Sequence, residues 1–165
     1  VKKIFLLFSI STLVLFFAAT TNAEKSKNYA AYVILPCSKG NFIKWPVEAK
    51  ELWLPDSSII ENIFSQMPNG LDSLEKEIPR NPHDLYDTLP KRNLLRPLQT
   101  YYFQVLGVIA KDNHKMIYFN AACEVEGGGW TKGLYYVLDG GNCFFNVVYD
   151  LTDGKWKFLR INGQA

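Results

Sequence analysis

Histidine and cysteine are scarce, with two His and three Cys in 165 residues, and neither type falls at metal-ligand spacing. No CxxC is present, and His83 and His114 sit in loop-like contexts without a thiol or carboxylate at ligand spacing, so no zinc or other metal site is expected. A G-x-S-x-G elbow is missing as well. Ser38, Ser57, Ser58, Ser65 and Ser73 fall in caps or polar helix positions, and neither His follows an acid in a hydrolase order, so no catalytic residue is assigned. Charge of one sign is not in excess either. The 18 Lys and Arg face 16 Asp and Glu, and setting aside Lys2 and Lys3 leaves 16 of each. A chain so balanced has no long-range field to gather nucleic acid or an anionic membrane surface. Apolar residues are not lacking: 48% belong to the AVILMFWYC set, 15% are aromatic and 21% are charged, which excludes a disordered or collagen-like chain. This length fits one globular domain with a core of its own.

The one long apolar run, residues 4–19, is 16 residues, short of the roughly 18 to 20 that span a bilayer. Lys2 and Lys3 precede it, and Thr20-Thr21-Asn22-Ala23 leads into a polar stretch. This is the order of a secretory signal, so residues 1–23 are expected to be removed and the mature domain to span 24–165, with a cut after Ala19 as the alternative and an uncleaved anchor as the competing reading. A valine at position 1 suggests a bacterial alternative start, hence a periplasmic or secreted protein with no stable membrane insertion after cleavage. Cys37, Cys123 and Cys143 remain, and an oxidising compartment permits one bridge with one thiol left over.

Residues 29–35 read as an edge strand or a segment laid over the core. Ile59, Ile60, Ile63, Phe64 and Met67 recur at helical spacing. Ser58 with Glu61 forms a capping box, Asp56 is a competing cap, and Pro68-Asn69-Gly70 is expected to end the helix. Leu71, Leu74 and Ile78 suggest a second short helix stopped by Pro79, and residues 80–98 form a Pro-rich connection. Five segments rich in Tyr, Phe, Val and Ile follow at 100–110, 115–123, 134–139, 143–151 and 155–161, divided by turn signals. The economical arrangement is α+β: a main helix, plus the short one, on a mostly antiparallel five-stranded meander. In that order Cys123 ends strand two and Cys143 begins strand four, beyond bridging distance, so these two are not expected to pair.

Alternation places Ile117, Phe119, Ala121, Cys123, Phe145, Val147 and Tyr149 against the helix. It leaves Tyr118, Asn120, Tyr136, Asn146, Trp156 and Arg160 on the other face, where amphipathic rings and amides suit recognition of protein or sugar; burial under the Pro-rich connection is the competing reading. Asp139-Gly140-Gly141 reads as a hairpin turn, and Asp139, Asp150 and Asp153 as turn-forming residues rather than an acid–base pair. Gly127-Gly128-Gly129 reads as a flexible connection, against a flap closed by Trp130. A thiol dyad of Cys37 or Cys123 with His114 is set aside.

Trp53-Leu54-Pro55 before the capped helix, the aromatic strand at 101–110, Ile117-Tyr118-Phe119-Asn120, Trp130, and the ending made of Asp139-Gly140-Gly141, Phe144-Phe145, Tyr149-Asp150, Trp156 and Asn162-Gly163-Gln164-Ala165 form an ordered set. Together they resemble a family of small exported bacterial proteins. The resemblance implies an exported α+β domain and brings no activity or cofactor with it; the Pro-rich insert and Cys37 depart from it. The expected function is a non-catalytic binding or inhibitor-like module for another exported or envelope protein. The alternatives are a hydrolase with an unrecognised site and a membrane-tethered structural subunit.

Overall fold

The computed structural model describes residues 31–38, 47–77, 95–137 and 140–162. The expected signal, the Pro-rich stretch through residue 94, His83 and Asp139 lie outside them. The fold is α+β. Strands β1 (Ala31–Ile34) and β2 (Ala49–Trp53) precede helix α1 (Ser57–Glu77), followed by β3 (Tyr102–Ala110), β4 (Lys115–Ala122), β5 (Phe144–Asp150) and β6 (Lys155–Ile161). The sheet runs β1-β3-β4-β5-β6, with β3 to β6 antiparallel in sequence order. The far side of β3 is shared: β1 runs parallel to its first half and β2 antiparallel to its second. No helix among the described residues is long and apolar enough to cross a membrane.

Helix α1 starts where Asp56 accepts the Ser58 backbone N–H at 2.8 Å, so Asp56 and not the Ser58–Glu61 box caps it. It does not stop at Pro68-Asn69-Gly70 but continues as one helix to Glu77, and its apolar stripe stays in phase through Ile60, Ile63, Phe64, Met67 and Leu71. Pro68 costs a helix interior about 3 kcal/mol. Keeping Leu71 buried and Leu74 packed on the same core offsets that cost, at roughly 1.5 to 3 kcal/mol for each fully buried side chain. Phe64 sits at the centre, 5.2 Å from both Phe103 and Phe119 and 5.3 Å from Tyr32, measured between ring centroids. Two tryptophans lie on glycines. A Cβ on Gly107 would meet the Trp53 carbonyl at 2.3 Å, and one on Gly70 would meet the Trp156 indole at 2.2 Å.

Residues 134–137 form no strand, so β4 pairs directly with β5, with Ala122 opposite Phe144. This overturns the expectation that Cys123 and Cys143 stay apart. The next residues outward from that pair are the two cysteines, which are bridged with Cα atoms 5.0 Å apart while the Cys123 N–H donates to the Cys143 carbonyl at 2.8 Å. Cys37 is free and exposed. A non-reducing peptide map is expected to return Cys123 linked to Cys143, with Cys37 alkylated in the native protein. A linked Cys37 would contradict this arrangement.

Candidate functional site

The sheet face turned away from α1 carries its side chains in ranks across neighbouring strands: Gln104, Asn120, Asn146 and Arg160; then Leu106, Tyr118, Val148 and Lys157; then Val108, Met116 and Asp150. Leu106, Val108, Met116, Tyr118 and Val148 form an apolar middle covered by Leu35, Val47 and Ala49, which arrive from the ends of β1 and β2, while Lys157 at the margin reaches toward Asp150. Polar groups therefore collect at the two ends of this outer face.

At one end the carboxamides hold a strap formed by residues 130–137. Gln104 Nε2 donates to the Trp130 carbonyl and, at 2.7 Å, to that of Gly133, while Gln104 Oε1 accepts the Tyr135 N–H at 2.7 Å. Asn120 Nδ2 donates to the Tyr135 carbonyl at 2.7 Å and to Gln104 Oε1 at 2.8 Å; Asn146 Nδ2 donates to Asn120 Oδ1 at 2.6 Å, and Asn162 Nδ2 to the Val137 carbonyl at 2.6 Å. A segment lying across a sheet has no strand edge to satisfy its main chain, and here side-chain amides take that role. Among the described residues it is this strap that lies over the amide end of the face; burial under the Pro-rich connection falls on residues outside them.

At the other end Asp150 is buried with both oxygens saturated. Its Oδ2 accepts from His114 Nδ1 and Lys157 Nζ, each at 2.7 Å, and its Oδ1 from the Thr152 and Asp153 N–H at 2.9 and 3.2 Å. Burial alone would raise the Asp150 pKa, but the bonds from Lys157, His114 and the two amides outweigh it and hold the carboxyl at about 2. The same contacts raise His114 and Lys157 above their usual values. His114, Asp150 and Asp153 present ligand atoms close enough to share a cation. The Lys157 ammonium, 2.9 Å from Asp153 Oδ2 as well, already supplies that charge. The turn reading of Asp150 and Asp153 therefore fits, with His114 added to the turn lock.

Beside this cluster opens a groove of about 310 Å³, floored by Val47, Ala110 and Met116 and walled by Lys157 and Phe158, with the Glu48–Lys111 ion pair (2.5 Å) on its rim. Phe158 is 48% exposed and has φ 59°. It sits in a bulge: Lys157 pairs with Val148 and Arg160 with Asn146, so Val147 faces two residues.

That bulge corrects the placement of Trp156. Alternation through 156, 158 and 160 assigns all three to the outer face, but the extra residue switches phase, and Trp156 pairs with Tyr149 and packs on Gly70 of the helix. Tyr118 lies on the outer face as expected, yet is buried. Asn120 and Asn146 belong to the amide network, and Tyr136, 67% exposed, and Arg160 stay at the surface. The structure thus brings together Asn120, Asn146, Tyr136 and Arg160, buries Tyr118 beside them, and removes Trp156. The sequence reading missed Gln104, Lys157, Phe158 and the His114–Asp150 contact. A direct β4–β5 pairing would have shown the last, since Asp150 then faces Met116, two residues after His114. No known family, no curated protein and no solved structure matches the chain.

Proposed function

We propose that the protein is an exported, non-catalytic module that binds another exported or envelope protein through the outer-face groove walled by Phe158. Phe158 is the observation that carries this reading. A left-handed backbone costs a residue with a Cβ roughly 1 to 2 kcal/mol, which glycine avoids, so a phenylalanine held there with half its ring exposed supports a role for the ring itself. An aromatic wall over an apolar floor with a charged rim is the layout of a protein-binding hot spot. The Cys123–Cys143 bridge supports export, because such bridges persist in oxidising compartments. The resemblance to small exported bacterial proteins points the same way.

The test is a photo-cross-linking residue at position 158 in the native envelope, with one at Gln66 on the exposed side of α1 as control. A single adduct from 158 and none from 66 is expected. Phe158→Gly should shift folding stability by less than about 1 kcal/mol, since relief of the backbone offsets the lost half-buried ring, while weakening the captured partner at least about tenfold. Equal labelling from both sites, or undiminished binding by the glycine variant, would remove this function.

A further inference from the structure

We propose that residues 130–137 are a displaceable strap resting on a surface that binds an extended main chain, and that an extended segment of a partner protein takes the strap's place on the Gln104–Asn120–Asn146 rank. This rests on the reading of the outer face as the partner-facing side.

Three observations carry it. The first is what the amides recognise: both main-chain groups of Tyr135 and the carbonyls of Trp130, Gly133 and Val137 are bonded by Gln104, Asn120 and Asn162. All five bonds fall on main-chain groups, four carbonyls that every residue supplies and one N–H that only proline lacks, so the rank reads main chain and not the strap's side chains. Trp130 sits in the 3-10 turn Gly128–Thr131, and the run that follows from Gly133 to Val137 is neither helix nor strand. Of those side chains, Tyr136 points to solvent, Leu134 is partly buried at the margin of the outer apolar cluster, and Trp130 and Tyr135 are half-buried with ring contacts to Tyr102 and Phe144 at 5.6 and 6.4 Å.

The second is how the strap is anchored. The Cys123–Cys143 bridge and the β4–β5 ladder close the base of the loop, so lifting residues 130–137 leaves the sheet paired. Positive φ at Gly127 (63°), with open space around Gly127 to Gly129, supplies a joint on one side whose rotation meets no Cβ barrier. On the other side Gly140 (φ 118°) lies against the Phe144 ring and buried Gly141 (φ 55°) fixes the end of the loop at the bridge.

The third is the seating. A polar void of about 30 Å³ remains under the strap among Asn120, Asn146, Asn162, Tyr135 and Phe144, room for one water, which marks a fit looser than a packed core. Bound in cis, the strap is a stand-in for the ligand it excludes.

Hydrogen exchange on the full, disulfide-intact chain tests this, with a synthetic peptide of the sequence of residues 130–137 as probe. In the free protein the Tyr135 amide should exchange at least about 100-fold faster than the central amides of β4, because only local opening is needed. Excess peptide should speed it at least about fivefold by holding the strap off. A peptide with alanine in place of its tryptophan and its second tyrosine should act alike, and one N-methylated at the position of Tyr135 should have no effect. Asn162→Ala, which removes one tie at the strap's end, should raise Tyr135 exchange and leave β4 unchanged. Exchange of Tyr135 only at the β4 rate, or equal action by the N-methylated peptide, would overturn the proposal. Neither outcome involves Phe158, so a failed strap leaves cross-linking from 158 standing, and a failed cross-link leaves the strap result legible.

Discussion

Trp156→Ala is expected to cost about 3 kcal/mol or more, as much as truncating a core phenylalanine such as Phe145. The indole is a joint between sheet and helix: its ring centroid lies 5.0 Å from that of Tyr149 and 5.9 Å from that of Phe119, and its edge lies on α1 at Gly70. Gly70→Ala places a methyl 2.2 to 2.5 Å from three indole atoms, so helix or ring must move, at about 2 kcal/mol. With Trp156 already alanine the clash is gone and the sign reverses, because alanine is better than glycine in a helix by up to about 1 kcal/mol. Urea unfolding of the two single variants and the double variant should therefore show a coupling near 3 kcal/mol. Additive losses would mean that the indole does not rest on Gly70.

The main elements were legible because their signals are local. The stripe Ile60, Ile63, Phe64 and Met67, and the alternation in β4 and β5, specify a helix and two strands whose buried faces match the structure. What failed turned on two residues' worth of geometry. Residues 134–139 have the composition of a strand, and Leu134 and Tyr135 pack on the outer face, yet the main-chain partners of Tyr135 are the side chains of Gln104 and Asn120, which no local pattern reveals. Inserting a strand there separates β4 from β5, and that one step hid both the Cys123–Cys143 bridge and the His114–Asp150 contact. The bulge at Phe158 carries no glycine or asparagine to announce a left-handed residue, so the phase of β6 was read straight through and Trp156 went to the wrong face. Pro68 and Gly70 read as a stop because proline and glycine usually are one; the continuing apolar stripe at Leu71 and Leu74 is the stronger term here. The candidate groove was not legible at all, since its walls come from the segment just before β2, the end of β3, the β3–β4 turn, β4 and β6.

Asp150→Ala is expected to cost about 3 kcal/mol near pH 5 to 6, because it strands Lys157, protonated His114 and the Thr152 and Asp153 amides at once. These groups tie the β3–β4 turn to the β5–β6 turn, so the loss falls on the end of the sheet where the groove lies. The pH dependence has two limbs of opposite sign. Asp150 is held at about 2 in the folded protein against an ordinary value of 3.8, so its contribution is complete above pH 4 and disappears as pH falls toward 2. His114 is raised above 6.5, first by its bond to Asp150 and further by Asp112 and Asp153. Its contribution is complete below 6.5 and is lost as pH rises through its folded value. Urea midpoints measured across pH should therefore form a plateau between about 4 and 6.5 with a decline on each side. His114→Gln should flatten the alkaline limb and leave the acid one, because Lys157 and the two amides still hold the carboxylate. Asp150→Asn should flatten both. An alkaline decline that survives His114→Gln would show that His114 does not lock the turn, and an acid limb that survives Asp150→Asn would place the critical carboxylate elsewhere.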